Sequence, residues 1–362
     1  MTVIQQPDAY SLTSNVKDLI IASETSIIFE VKKGSVSILR ETYDPDADDR
    51  IYIRDLGKLF ECYLSGSMST GPQAVYGEFT LYVDSTSIGS FTALLCKAFT
   101  SLQATSFFPD GWPLHLQYGS KVTTPTTKEY LTFYRENGGT IKVKVKYYSG
   151  NQILETATEI LFTSTTIAFQ TIEITLQAVV ALFPSIEPHS IISYMVGVAD
   201  IYSQFLVDWT SYPDTKTFRY LNVFGCPATL VTRGQVVRKR ALNFESTRIA
   251  GIEKRYAIKR DDSFEVVIGR KYSRTDDALI AEMTASDCIE VFFKGAFREI
   301  VIISEDSEEI QTKGMLGSSK FAFRFSDERF NQALYDPFWI LEDGTWKDDG
   351  VWLDEEHWLD GD

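Results

Sequence analysis

Short runs of strict apolar–polar alternation, cut by turn residues, constrain this chain more than any other feature. In the clearest run Ile141, Val143, Val145 and Tyr147 alternate with Lys142, Lys144 and Lys146. A period of two puts the apolar set on one face of a strand and the lysines on the other. Tyr130–Arg135 precedes this run, with Asn137-Gly138-Gly139 between, and Asn-Gly supplies the positive φ values of a tight hairpin. The spacing therefore predicts that the two runs pair, and Ser149-Gly150-Asn151 predicts a second turn. Between Phe169 and Ile172 the apolar positions change parity, which predicts a bulge. Aromatic residues make up 13% of the chain, a composition suited to pleated surfaces.

The same reading gives strands at 19–23, 26–31, 35–40 and 77–83. Between them Asp55 is placed to cap a helix whose Leu56, Leu59, Phe60, Tyr63 and Leu64 share one face. A further short helix is predicted at 177–183. After the turn-like Ser211-Tyr212-Pro213-Asp214 come strands at 217–223, 228–232, 235–242, 255–259 and 263–268. A helix follows at 276–285, with Thr275 as cap and Asp276 and Asp277 suiting its positive end. Strands at 289–293 and 299–303, and one carrying Phe321, Phe323 and Phe325, close the region. The expected architecture is mainly β, with consecutive β-sandwich or barrel domains at 1–108, 109–213 and 214–335. The last of these is read as a β-barrel with one flanking helix.

Residues 336–362 differ from the rest. Asp343–Asp348, Asp349–Asp354 and Glu355–Asp360 form an imperfect six-residue repeat with Trp at the fourth place and Asp at the sixth. Ten acidic residues and one lysine give this segment a charge of −9 out of −15 for the whole chain. A segment this charged builds no core of its own, yet each indole carries a large area that favours burial. Trp339, Trp346, Trp352 and Trp358 are thus candidate interface anchors on a partner, and 336–362 reads as an acidic docking tail.

Residues 231–260 have the opposite charge, nine Lys or Arg against Glu245 and Glu253. Arg233, Arg238, Lys239 and Arg240 are the candidate basic half of an interface, complementary to an acidic neighbour. The acidic balance of the chain argues against a nucleic-acid binder.

No catalytic motif is visible. His115, His189 and His357 have no metal-ligand spacing, and His115 is expected in a strand. Cys62, Cys96, Cys226 and Cys288 form no CxxC pair, and Cys62 and Cys96 are read as buried thiols. They suit synthesis in a reducing cytoplasm. Asp44-Pro45-Asp46-Ala47-Asp48-Asp49 departs from a calcium loop at Asp49, where glycine is required, and at Asp55. No enzymatic activity, cofactor or metal is expected. No stretch is long and apolar enough to span a membrane.

The string Phe218-Arg219-Tyr220-Leu221-Asn222-Val223-Phe224-Gly225-Cys226-Pro227 resembles structural proteins of Bacteroidetes phages and prophages. So does the order after it: a β-run, a helix ending near Ser286, strands around 299–304 and an aromatic strand ending at Arg324. Tyr43–Asp48 followed by Ile51, Ile53, Asp55, Leu56 and Leu59 is similar to the same family, in which Trp/Gly/Asp tails recur. The resemblance covers most of the chain, and its motifs are structural. The outline of the last region resembles the tail-tube and distal-tail fold. The resemblance implies a distal-tail or baseplate component of the virion, made in the host bacterial cytoplasm. It would form a ring of six copies and dock neighbouring tube, tape-measure, hub or fibre proteins. The alternative it leaves is a virion-borne carbohydrate-binding or receptor-binding adhesin, whose Tyr and Trp would stack on sugar rings.

Overall fold

The computed structural model describes residues 1–98, 100–108, 112–115, 119–135, 140–163, 168–198, 201–249, 252–269, 271, 274–307 and 319–327. These residues are mainly β, arranged in five separate sheets with three α-helices. Three hydrophobic cores lie between and beneath the sheets.

The first core is enclosed by β1 (Thr2–Gln5), β2 (Tyr10–Leu12), β3 (Leu19–Ala22), β4 (Ile27–Lys33), β5 (Val36–Tyr43) and β6 (Arg50–Ile53). It also takes in α1 (Leu56–Glu61), β7 (Gly71–Gln73), β8 (Tyr76–Val83) and β9 (Thr86–Leu94). One sheet runs β2-β9-β8-β4-β5 and a second runs β1-β3-β6. Along β8, Phe79, Leu81 and Val83 are buried and alternate with more open positions, as a half-covered strand requires. Asp84 and Ser85, both at positive φ, make the two-residue turn into β9. Leu56, Phe60 and Leu64 of the helical face are buried, whereas Tyr63 is exposed. Asp55 does not cap α1 with its side chain. It sits at φ 57° with no side-chain cap bond, and its carbonyl accepts from Lys58 N at 3.1 Å.

The second group comprises β10 (Lys121–Thr123), β11 (Lys128–Arg135), β12 (Thr140–Ser149), β13 (Gln152–Glu155) and β14 (Glu159–Thr163). After these come β15 (Ala168–Thr175), α2 (Leu176–Leu182), β16 (Ile191–Val198) and β17 (Ile201–Val207). Thr175 caps α2, its hydroxyl accepting from Ala178 N at 3.1 Å. The turn at Gly150-Asn151 joins β12 to β13 as the sequence suggests. The expected pairing of 130–135 with 141–147 does not form. β11 pairs with β15, which pairs with β7, while β12 lies in the sheet β10-β17-β16-β12-β13, with β14 also on β12. The Asn137-Gly138-Gly139 turn lies outside the described residues. The physical reason is face-to-face packing: Leu131 and Phe133 meet Ile141, Val143 and Val145 across the second core, so the two strands belong to opposite layers. The predicted bulge in β15 is also absent. Its register with β11 is unbroken from Arg135↔Ala168 to Lys128↔Thr175. The parity changes because both faces are covered. Phe169 belongs to the first core, while Ile172 and Ile174 belong to the second.

The third group comprises β18 (Lys216–Leu221), β19 (Pro227–Thr232), β20 (Val236–Ile249) and β21 (Ile252–Val267). It ends with α3 (Arg274–Thr284), β22 (Ile289–Phe293), β23 (Ala296–Ser307) and β24 (Ser319–Phe325). These strands make one antiparallel sheet, β19-β18-β22-β23-β24-β21-β20. Leu279, Ile280 and Met283 of α3 share the third core with Phe218, Tyr220 and Phe321. Among the described residues the sheet is open, not a closed barrel. One backbone bond, Arg233 N to Ile268 O at 3.0 Å, draws its margins together without making a ladder. Thr275 falls inside the first helical turn instead of capping it.

The expected boundaries at 108/109 and 213/214 are both crossed by packing. Phe107, Phe108 and Leu114, then Phe169, Phe224 and Cys226, complete the first core. Lys97 N donates to Val223 O at 2.9 Å, and Asn222 Nδ2 donates to Leu114 O at 2.7 Å. At the same seam Gly66 lies so close to Gly225 that an added Cβ would sit 1.4 Å from its carbonyl oxygen. No described helix is long and apolar enough to cross a membrane.

Candidate assembly surface

The sequence divides 235–268 into three short strand runs, but the structure joins them into one long ribbon. β20 and β21 pair from Val236↔Val266 to Ile249↔Ile252, with one irregularity between Asn243 and Glu245. Only Phe264–Val267 of β21 also pairs with β24. Beyond that base the ribbon has two strands, and such a ribbon is marginal in water without further cover. Its apolar side chains are open on both faces: Leu242 is 53% exposed, Phe244 41% and Ile252 65%. The Arg255 guanidinium lies 4.3 Å from the Phe244 ring centroid. Exposed apolar groups set among cations favour contact with another surface.

The four basic candidates divide into two kinds. Arg233 is buried, with its Nη1 3.4 Å from Asp208 Oδ2, so its charge is met within the chain. Arg238 is half-buried over the Phe264 ring, with Nη2 2.7 Å from Asp262 Oδ2. Asp262 is fully enclosed, so this pair fastens the ribbon base. Lys239 and Arg240 are exposed, and Lys239 pairs with Glu265 across the ribbon. Trp339, Trp346, Trp352 and Trp358 lie outside the described residues.

Sequence reasoning missed a pocket at the foot of the ribbon. Its volume is about 100 Å³, with Phe264, Phe293, Phe323 and Phe325 in its walls and Lys216 and Arg238 beside them. Phe264 and Phe323 are stacked, with centroids 5.2 Å apart. The pocket adjoins the third core, whose Val291, Phe323 and Phe325 also line it. Only the run Phe321, Phe323, Phe325 signalled it in the sequence.

Polar groups are also enclosed. Lys121 Nζ lies 2.5 Å from Glu129 Oε2, and both side chains are buried. Among the described residues Glu129 Oε1 has no partner. Burial, then the nearby Glu129 charge, pushes the Tyr194 hydroxyl well above its ordinary value. Glu282 of α3 accepts from Val223 N and from Tyr220 Oη, each at 3.1 Å, and burial raises its carboxyl. Burial pushes the Cys226 thiol up to about 12. Cys96 is buried as expected, but Cys62 is exposed at the end of α1. His115 lies in a bend instead of a strand, sharing a hydrogen bond with Ser203 Oγ at 2.9 Å. Asp46 Oδ1 accepts from Asp48 N and Arg50 N at 2.9 and 2.8 Å, which makes the acidic string a self-bonded turn. Among the described residues no group of three or more His, Cys, Asp or Glu is placed to hold a metal ion.

No protein-family profile matches the chain, and none of the curated proteins matches it.

Proposed function

We propose that the protein is a structural subunit of a phage tail, at its distal end or baseplate. It closes into a ring with copies of itself and docks neighbouring tail proteins, such as tube, tape-measure, hub or fibre proteins. It does this without catalysis or a cofactor. The observation that carries the reading is the β20–β21 ribbon, which extends beyond its sheet with apolar and cationic side chains open on both faces. A closed ring covers such a surface on every copy at once, and closed symmetry is the common solution for self-associating subunits. The resemblance of 218–227 and 43–59 to phage structural proteins supplies the setting, and the likeness of the last region's outline to the tail-tube and distal-tail fold favours six copies. The acidic Trp hexads of 336–362 complement the ribbon in charge and add anchors for a neighbour.

The test is assembly. Replacing 241–261 by a two-residue Asn-Gly turn removes the open part of the ribbon and leaves its base, from Val236↔Val266 to Arg240↔Asp262, on the sheet. Mass photometry of the parent should show one closed oligomer, six copies being expected, and the shortened chain should stay monomeric with an unchanged thermal transition. A parent that is monomeric both alone and within imaged particles would sink the ring.

A further inference from the structure

A cleft on the second group of strands is unrelated to the ribbon and has a different chemistry. Its volume is about 290 Å³, and it lies between the loop after β10 and the segment after β17. Trp209 and Tyr212 supply aromatic walls, Pro125 adds apolar surface, and Thr126, Thr210 and Ser211 bring hydroxyls. Among the described residues no charged side chain lines it. The volume is close to the ~300 Å³ lower end of small-molecule sites, enough for one or two sugar rings.

The cleft is held rigid from below. Trp209 Nε1 donates to Ile191 O at 2.8 Å, and the His189 ring lies against the indole with centroids 4.5 Å apart. Tyr212 Oη donates to Asp208 Oδ2 at 3.0 Å, while Asp208 Oδ1 accepts from Thr210 N at 3.0 Å. The buried Arg233–Asp208 pair fixes that carboxylate. Arg233, expected at an interface, is therefore a support for this cleft. By contrast the outer hydroxyls are available: Thr210 and Ser211 are exposed, and their hydroxyls bond to no described side chain.

We infer that this cleft binds a neutral saccharide. A pyranose ring presents an apolar C–H face and a rim of hydroxyls. Fixed aromatic rings accept the first, and protein hydroxyls serve the second as donors and acceptors at once. An uncharged lining gives nothing to a phosphate or a carboxylate, which would have to shed water without a counter-charge. Because the rings and Asp208 are locked before binding, little ordering entropy is lost on association. The inference does not rest on the tail assignment: a subunit that forms no ring would keep the cleft.

The full-length protein should be applied to an array of neutral and sialylated or sulfated oligosaccharides, and a neutral hit then titrated by saturation-transfer NMR. Neutral glycans should bind, and anionic substituents should bring no gain. The double variant Thr210→Ala, Ser211→Ala lies on the exposed rim and should keep its thermal transition while losing roughly tenfold in affinity, about one lost hydrogen bond's worth of discrimination. Trp209→Ala should lose more. Because Trp209 also packs on the second core, Trp209→Phe serves if that variant unfolds. An array blank for neutral glycans, binding confined to anionic ones, or binding untouched by the double variant would each overturn the inference. Shortening the ribbon should leave saccharide binding unchanged, which separates this test from that of assembly.

Discussion

The β11–β15 ladder and the β20–β21 ribbon are both antiparallel pairs of long strands, yet their surroundings are opposite. β11 and β15 lie between two cores. Leu131 and Ile172 face one, Tyr134 and Phe169 face the other, and even the intervening Thr132 and Thr171 are buried, their hydroxyls 2.7 Å apart. Among the described residues the outer ribbon has cover on neither face, Leu242, Phe244 and Ile252 being exposed. Adjacent residues show the difference: Tyr130-Leu131-Thr132-Phe133 is a continuous run without charge, and Arg238-Lys239-Arg240 is a continuous run of cations. On a strand neighbours point to opposite faces, so an unbroken run of one character reports both faces at once. Alternation reports a single covered face.

The sharpest way to break this comparison is a matched pair of truncations. Phe169→Ala removes a fully buried ring that packs on Tyr76, Phe108 and Tyr134 and should cost about 3–5 kcal/mol in urea unfolding. A loss near zero would mean that the inner ladder is not pinned from both sides. A loss of similar size comes from charge in place of volume. Lys121→Met strands the Glu129 carboxylate in the interior and should cost about 3–5 kcal/mol, whereas Lys121→Met with Glu129→Leu should recover most of it. If the double variant is as unstable as the single one, the ion pair is not the cause.

Glu282 gives a smaller effect with a pH signature. Burial raises its folded-state pKa above the ordinary carboxylate value. Its contribution to stability is therefore fully present below the unfolded pKa and is lost as pH rises through the folded one. Glu282→Gln carries no charge, so its melting temperature relative to the parent should rise between pH 4 and pH 8. A difference that is flat with pH would place Glu282 in contact with water. The smallest effect belongs to the ribbon: Phe244→Ala should change monomer stability by no more than about 0.5 kcal/mol, while weakening self-association in mass photometry.

Much of the fold was legible because most strands have one covered face. The runs at 77–83, 289–293 and 321–325 carry that parity and become β8, β22 and β24. Pairing was less legible. The lysine-alternating β12 and the aromatic β11 are close in sequence and separated by turn residues, which is the local signature of a hairpin. Only the apolar face they share across the second core places them in opposite layers. Charge was legible as an amount and not as an assignment. Arg233 and Lys239 look alike in a basic run, yet one is enclosed with Asp208, a residue 25 positions earlier, and the other is in solvent. The aromatic cleft had no sequence signal, because Thr126 and Trp209 come from loops whose proximity depends on the parallel pairing of β10 with β17.

The mixed origin of the first core also sets a timetable. Its N-terminal sheets are complete in sequence by Leu94, but Phe169, Phe224 and Cys226 are needed to close it. At roughly 5–20 residues per second of synthesis, the ribosome delivers these residues on the order of ten seconds later. During that interval the nascent chain holds an apolar surface with no lid, open to chaperones or to the same surface on another nascent chain. Circular permutants that bring 168–226 ahead of the N-terminal strands would remove that wait.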